Sequence, residues 1–208
     1  MISKAGSRTY ERAHFPSRHP RLSTMERCLL KWAVIDRDDR VLDVGLGNGL
    51  MAEYLLRNME CEVCGVADDM ELVRSNRGLV RSADLVYAAA GDIPWRDQAF
   101  HAVLLRPCRL DEAAMENQLR EVHRVLKEGG QLVMALENLP APLRSALDAI
   151  RETPAEVTEN ITRRRAMKML SQLGFEQFSW HPCGIFAGAL VAWKRNTVEE
   201  RFKKGEGE

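Results

Sequence analysis

The sequence has no excess of either charge, no cysteine framework and no long apolar run, and each shortage removes a class of protein. Lysine plus arginine number 30, as do aspartate plus glutamate. A chain without net charge carries no global field to gather nucleic acid or an anionic membrane, so neither is expected as a partner. No uninterrupted apolar stretch nears the ~20 residues that span a bilayer. The first eight residues lack the apolar core of a signal peptide. Five cysteines, an odd number at irregular spacing, suit a reducing compartment better than a disulfide framework. Together these features imply a soluble cytoplasmic protein. Its 208 residues suit one domain with a substantial core.

What is present centres on residues 40–54. Val41-Leu42-Asp43-Val44 is short, apolar and bounded by charge, which reads as a buried strand. Gly45, Gly47 and Gly49 follow on alternate positions, with Leu46 and Asn48 between them, and then Met51, Tyr54 and Leu55 at helical spacing. The pattern predicts a strand, a tight turn and a helix. Without a Cβ the glycines allow positive φ and close approach of a ligand, and the helix start offers free backbone N–H groups. The dinucleotide fingerprint G-x-G-x-x-G does not fit, because Leu50 stands where its third glycine belongs. The acidic Asp43 also suits a cationic ligand better than a pyrophosphate.

The pattern Asp43-x-Gly45-x-Gly47-x-Gly49 resembles motif I of the class I, Rossmann-like S-adenosylmethionine-dependent methyltransferases of small-molecule type. Two later segments match that family in order. Gly91-Asp92-Ile93-Pro94-Trp95 is similar to its adenine-binding segment, and Arg124-Val125-Leu126-Lys127-x-Gly129-Gly130 to its junction between a helix and the fifth strand. The matches cover roughly residues 40–136. The resemblance implies an α/β fold: a single doubly wound Rossmann-like domain over 37–194, with a seven-stranded, mostly parallel sheet, an antiparallel C-terminal strand and helices on both faces. It implies S-adenosylmethionine as cofactor and a small-molecule acceptor as substrate. The turn from Asp43 to Gly49 would hold the cofactor's amino-acid end. Gly91, Asp92 and Ile93 would meet its adenine.

The family's ribose-binding acid belongs at the end of the second strand, where this sequence has Ala67, with Asp68 and Asp69 following. Asp68 serves if that strand ends one residue late; both aspartates equally suit the cap of the next helix. Cys61 and Cys64 form a C-x-x-C, but residues three apart on a strand face opposite ways, so they read as core thiols and no metal site is expected. Ser23 or Thr24 caps a helix running to about residue 34, part of an N-terminal cap segment over 1–36 in which Tyr10 and Phe15 are lid candidates. Further helices are expected over 115–126 and 163–173, the last ending at Gly174, and strands over 85–95, 100–105, 175–180 and 185–193.

Prolines 140, 142 and 154 mark residues 138–165 as an insertion near the acceptor, and charge marks a mobile tail from Lys194, over 195–208. Arg106 follows the fourth strand, where the family rarely places a cation; it suits either an anionic ligand or a structural ion pair. No catalytic residue stands out, because a sulfonium already activates its methyl group and the protein chiefly positions the acceptor. Histidines 14, 19 and 181 are the available bases. Pro107-Cys108 and Glu137-Asn138 resemble a cytosine-methylating nucleophile and a magnesium pair, but Arg106 replaces the acid that each of those sites carries nearby. Self-association is left open, and so is a second reading: a cofactor-binding, non-catalytic relative with a regulatory or scaffold role.

Overall fold

The computed structural model describes residues 2–3, 9–10, 22–89, 91–106, 112–137, 161–185 and 187–197. The insertion over 138–160, His14, Phe15, His19, the 107–111 segment and residues beyond Thr197 lie outside them, as do the side chains of Tyr10 and Glu137.

A two-stranded antiparallel pair, β1 (Ile2–Ser3) with β2 (Thr9–Tyr10), precedes helix α1 (Thr24–Trp32). The pair is too short to leave a period in the sequence. The main sheet follows as β3 (Arg40–Val44), α2 (Leu50–Asn58), β4 (Glu62–Ala67), α3 (Met70–Leu79), β5 (Asp84–Tyr87), β6 (Phe100–Leu105), α4 (Glu112–Val125), β7 (Leu126–Glu137), α5 (Arg163–Gln172), β8 (Phe175–Pro182) and β9 (Ala187–Lys194). Its seven strands run in the order β5-β4-β3-β6-β7-β9-β8. The first five pair in parallel, and β9 inserts antiparallel between β7 and β8.

Period-two alternation divides the core between the two faces of the sheet. On β3, Val41 packs in the layer formed with α1 and α2, whereas Leu42 and Val44 pack in the layer formed with α4 and α5. This is the doubly wound arrangement expected from the sequence. The chain winds outward from β3 to β5 and then crosses back to β6, so the order reverses between β3 and β6. In such sheets ligands lie beyond the carboxyl ends of the strands at that reversal.

Three sequence expectations change. Strand β7 begins at Leu126, directly after α4, and the Gly-Gly pair lies inside it; Gly129 at φ 68° absorbs the irregular register between Phe100 and Ala102. Lys194 is not tail but the buried last residue of β9. Its ammonium donates to the carbonyls of His123 (2.7 Å) and Leu126 (2.8 Å), which carries its charge into the core. Pairing of Cys28 on α1 with Cys183 after β8 corrects the expectation of free thiols; the bond spans 155 residues, with Cα atoms 5.9 Å apart. Cys61 and Cys64 are free and buried as expected, and burial raises each thiol to about 11, so neither is a nucleophile at neutral pH.

A cross-link closing so long a loop is worth about 2–5 kcal/mol. Cys28→Ser and Cys183→Ser should each lower stability by that amount in denaturant melts, and the double variant should fall no further. Burial, and next the Lys194 ammonium, push His123 down to about 4 from 6.5. The unfolded chain therefore binds more protons than the folded one between those values. Stability should be intact above pH 6.5 and decline as the pH falls towards 4. Chemical denaturation of His123→Gln across that window should show a shallower decline.

Candidate cofactor site

The turn after β3 is built as the glycine spacing requires. Gly45, Gly47 and Gly49 sit at φ 82°, 56° and 72°, a region that disfavours any residue with a Cβ. The Gly45 N–H donates to Val66 O (2.9 Å), tying the turn to β4, and Leu46 is fully buried beneath it. Gly49 is the N-cap of α2, and the exposed Asn48 accepts from Leu50 N–H through Oδ1 (3.2 Å). Asn76 on α3 was not anticipated. It is buried and donates to Gly47 O (2.8 Å), and its side chain stands where a Cβ on Gly49 would go. Nothing in the spacing of α3 marks it.

Asp43 is fully buried at the end of β3. Its Oδ2 accepts from Arg106 Nη2 (3.2 Å), while Oδ1 has no hydrogen-bond partner among the described residues. Burial raises the carboxyl above its ordinary value, and the Arg106 guanidinium opposes that shift. Arg106 reaches Asp43 because β3 and β6 pair in register, Val44 beside Leu105, and the Arg106 N–H donates to Val44 O (3.1 Å). The same Nη2 lies 3.3 Å from Oε1 of Glu26, a buried residue of α1. Glu26 is also half of a capping box: its Oε2 accepts from Ser23 N–H (2.8 Å), and its own N–H donates to Ser23 Oγ (3.2 Å). The Ser-x-x-Glu spacing was the available signal for Glu26, but it points to the cap and says nothing of the ion pair.

The two aspartates after β4 separate. Asp69 caps α3, its Oδ1 accepting from Glu71 N–H (2.9 Å) and Leu72 N–H (3.2 Å). Asp68, exposed, lines a shallow cleft, partly open to solvent, with Gly45, Ala67, Gly91, Ile93 and Gln118. Gln118 comes from α4 and was also not anticipated. Ile93 is buried at the floor, whereas Asp92 is exposed and does not line the cleft. The 91–97 loop is clamped by α4. Arg124 donates to the carbonyls of Ile93 and Trp95 (both 2.8 Å), and Glu121 Oε2 accepts from Ile93 N–H (3.2 Å). Hydrogen bonding from Arg124, more than any other influence, holds Glu121 below its ordinary value. His181 stands apart, stacked on Trp32 with ring centroids 3.3 Å apart and bonded to Ser179 Oγ (2.9 Å). Among the described residues no group of histidine, cysteine or carboxylate side chains could hold a metal ion. No helix there is long and apolar enough to cross a membrane.

A glycine turn at the sheet's reversal point, an acid at its base and an adjoining cleft define a nucleoside-cofactor domain. Residues 42–134 match the methyltransferase domain family. This match, running from β3 to β7, takes in the glycine turn and the residues that line the cleft. It is 30% identical over 169 residues to a sarcosine/dimethylglycine N-methyltransferase of Halorhodospira halochloris, covering 76% of this chain and 58% of that protein. A ubiquinone/menaquinone biosynthesis C-methyltransferase of Xanthomonas oryzae is 32% identical over 114 residues, 51% of this chain and 45% of that protein. The chain thus spans about half the length of these curated relatives. In fold it resembles YcgJ of Bacillus subtilis (TM-score 0.66, 18% identity, 83% of this chain and 98% of that one). It is as similar to the 4+2 cyclase SpnF (TM-score 0.66, 20% identity, 82% and 80%).

S-adenosylmethionine is the cofactor this family implies, and the residues present fit it. Among the described residues Oδ1 of Asp43 is unpartnered and can accept from an ammonium, the N–H groups of Gly47 and Asn48 have no acceptor whereas those of Gly45, Leu46, Gly49 and Leu50 do, and the cleft has an apolar floor with a carboxylate at its edge. The split between the aspartates is testable. Asp69→Ala should lose about 1 kcal/mol of stability, as removal of a cap does, and leave ligand affinity unchanged. Asp68→Ala should do the reverse, read by denaturant melts beside equilibrium binding.

Proposed function

We propose that the chain transfers a methyl group from S-adenosylmethionine to a small-molecule acceptor. The observation that carries this reading is the buried, half-satisfied Asp43 at the foot of the three-glycine turn, continuous with the Asp68–Ile93 cleft. Asp43 takes the ammonium of the amino-acid end, and the N–H groups of the turn take its carboxylate. Asp68 accepts from the ribose hydroxyls, Ile93 packs on the adenine, and Asp92 at the rim accepts from its amino group. Bound there, the cofactor supplies a methyl group already activated by the sulfonium charge. What remains for the protein is to align the acceptor and exclude water.

The acceptor lies beyond the carboxyl ends of β6 and β7. A small molecule is favoured by the neutral net charge, which gives no footing for nucleic acid, and by the relatives named for sarcosine, dimethylglycine and quinones. A cytoplasmic location belongs to this reading. The Cys28–Cys183 bond weighs against it, since such bonds are rare in reducing compartments.

One observation favours a second reading, a cofactor-binding protein that transfers no methyl group. Ala67 ends β4 where the family's ribose acid belongs, and among the described residues that line the cleft Asp68 alone is titratable. The experiment is calorimetric titration with S-adenosylmethionine and S-adenosylhomocysteine, beside thermal shift with NAD and NADP. Binding in the micromolar range is expected for the adenosyl ligands, weakened in Asp92→Ala and lost in Gly47→Arg. A well-folded sample that binds neither ligand would remove both readings.

A further inference from the structure

Arg106 does more than neutralise Asp43. A Cβ placed on Gly47 would collide with its guanidinium, so this side chain covers the middle of the glycine turn. It reaches there from the strand on the far side of the reversal point, held by Asp43 at 3.2 Å and by Glu26 at 3.3 Å. The guanidinium thus occupies the ground over the turn that an amino-acid end would need, paired with the acid its ammonium would use. All three side chains are largely withdrawn from water, at 15% exposure for Arg106, 5% for Glu26 and 0% for Asp43. Among the described residues two carboxylates face one guanidinium, which leaves one excess negative charge there and an attraction for a second cation.

We propose that Arg106 is an internal stand-in for the cofactor's ammonium: it fills the Asp43–Glu26 seat in the free protein and is displaced when ligand binds. This inference rests on the cofactor reading given above. It assigns Glu26, on the N-terminal helix, to the binding machinery as the residue that holds the stand-in. It also makes the seat selective. A ligand with an ammonium can replace Arg106 charge for charge, whereas a neutral nucleoside must leave it in place and use the Asp68–Ile93 cleft alone. A ligand that carries the ammonium then competes with a tethered cation, and its apparent affinity is lowered by the fraction of molecules in which the seat is filled.

The test is calorimetric titration of wild type, Arg106→Met and Glu26→Gln with S-adenosylhomocysteine and with 5′-methylthioadenosine, which lacks the amino-acid end. Methionine keeps much of the length of arginine and loses the charge. Arg106→Met should bind S-adenosylhomocysteine at least about tenfold more tightly than wild type, with methylthioadenosine changed by less than about twofold. Glu26→Gln preserves the oxygen that caps Ser23 and loosens Arg106, so it should gain a few-fold for the same ligand, and it carries the test if Arg106→Met does not fold. A purely structural arginine would lower the melting temperature of the free variant without separating the two ligands. Wild-type binding that is unchanged or weakened in both variants would overturn the stand-in and leave the cofactor reading standing. Absence of binding in all three folded proteins would overturn the cofactor reading, and the stand-in with it.

Discussion

A carboxylate with no access to water, Asp43 at the end of the central strand, is the constraint around which the site is arranged. Isolated burial of that charge would cost several kcal/mol, so the fold has to bring a cation to it. The parallel register of β3 with β6 does this by setting Arg106 across from Gly45. Among the described residues one guanidinium leaves Oδ1 without a hydrogen bond, and burial still raises the carboxyl. A fold that only sought stability would fare at least as well with an apolar residue there. Under the function proposed above, the retained acid is a binding group, and the glycine turn above it is where the amino-acid end of the ligand would lie.

The supports around that point are of two kinds. Some shape the backbone: Asn76 holds the carbonyl of Gly47, and Arg124 with Glu121 fixes the loop that carries Gly91 and Ile93. Others tie separate layers together. Glu26 uses one oxygen to cap α1 and the other to meet Arg106, so the position of the N-terminal helix and the charge balance of the site are one structural matter. The Cys28–Cys183 bond anchors the same helix to the far edge of the sheet. Fold likeness stops short of chemistry, since a cyclase and a family of methyltransferases share this sheet.

Most of the fold was legible because its signals are local. The 41–44 strand, the alternating glycines, the 100–105 strand and the Ser23 cap depend on period two, period 3.6 or a single residue's backbone preference. The geometry of the candidate site was legible where a motif has fixed spacing, in the positive φ of Gly45, Gly47 and Gly49 and the burial of Ile93. It was not legible where the partner is distant. Arg106 and Asp43 are separated by 63 positions, and no spacing rule joins them. Asp68 and Asp69 looked interchangeable because their roles depend on which residue first leaves β4, and that is a matter of sheet pairing. Lys194 read as solvated from its charge; two carbonyls from the α4–β7 junction made its burial tolerable. Asn76 and Gln118 are polar residues on amphipathic helices, and only packing distinguishes them from their solvated neighbours.

The most direct measurement is an amide NMR titration of the isotopically labelled protein with S-adenosylhomocysteine. If the turn above Asp43 is the cofactor seat, the N–H resonances of Gly45, Gly47 and Gly49 should shift at saturation together with those of Asp68, Gly91 and Ile93. Residues on the β8–β9 hairpin should stay in place. Saturable binding that leaves the three glycine amides unmoved would contradict the account.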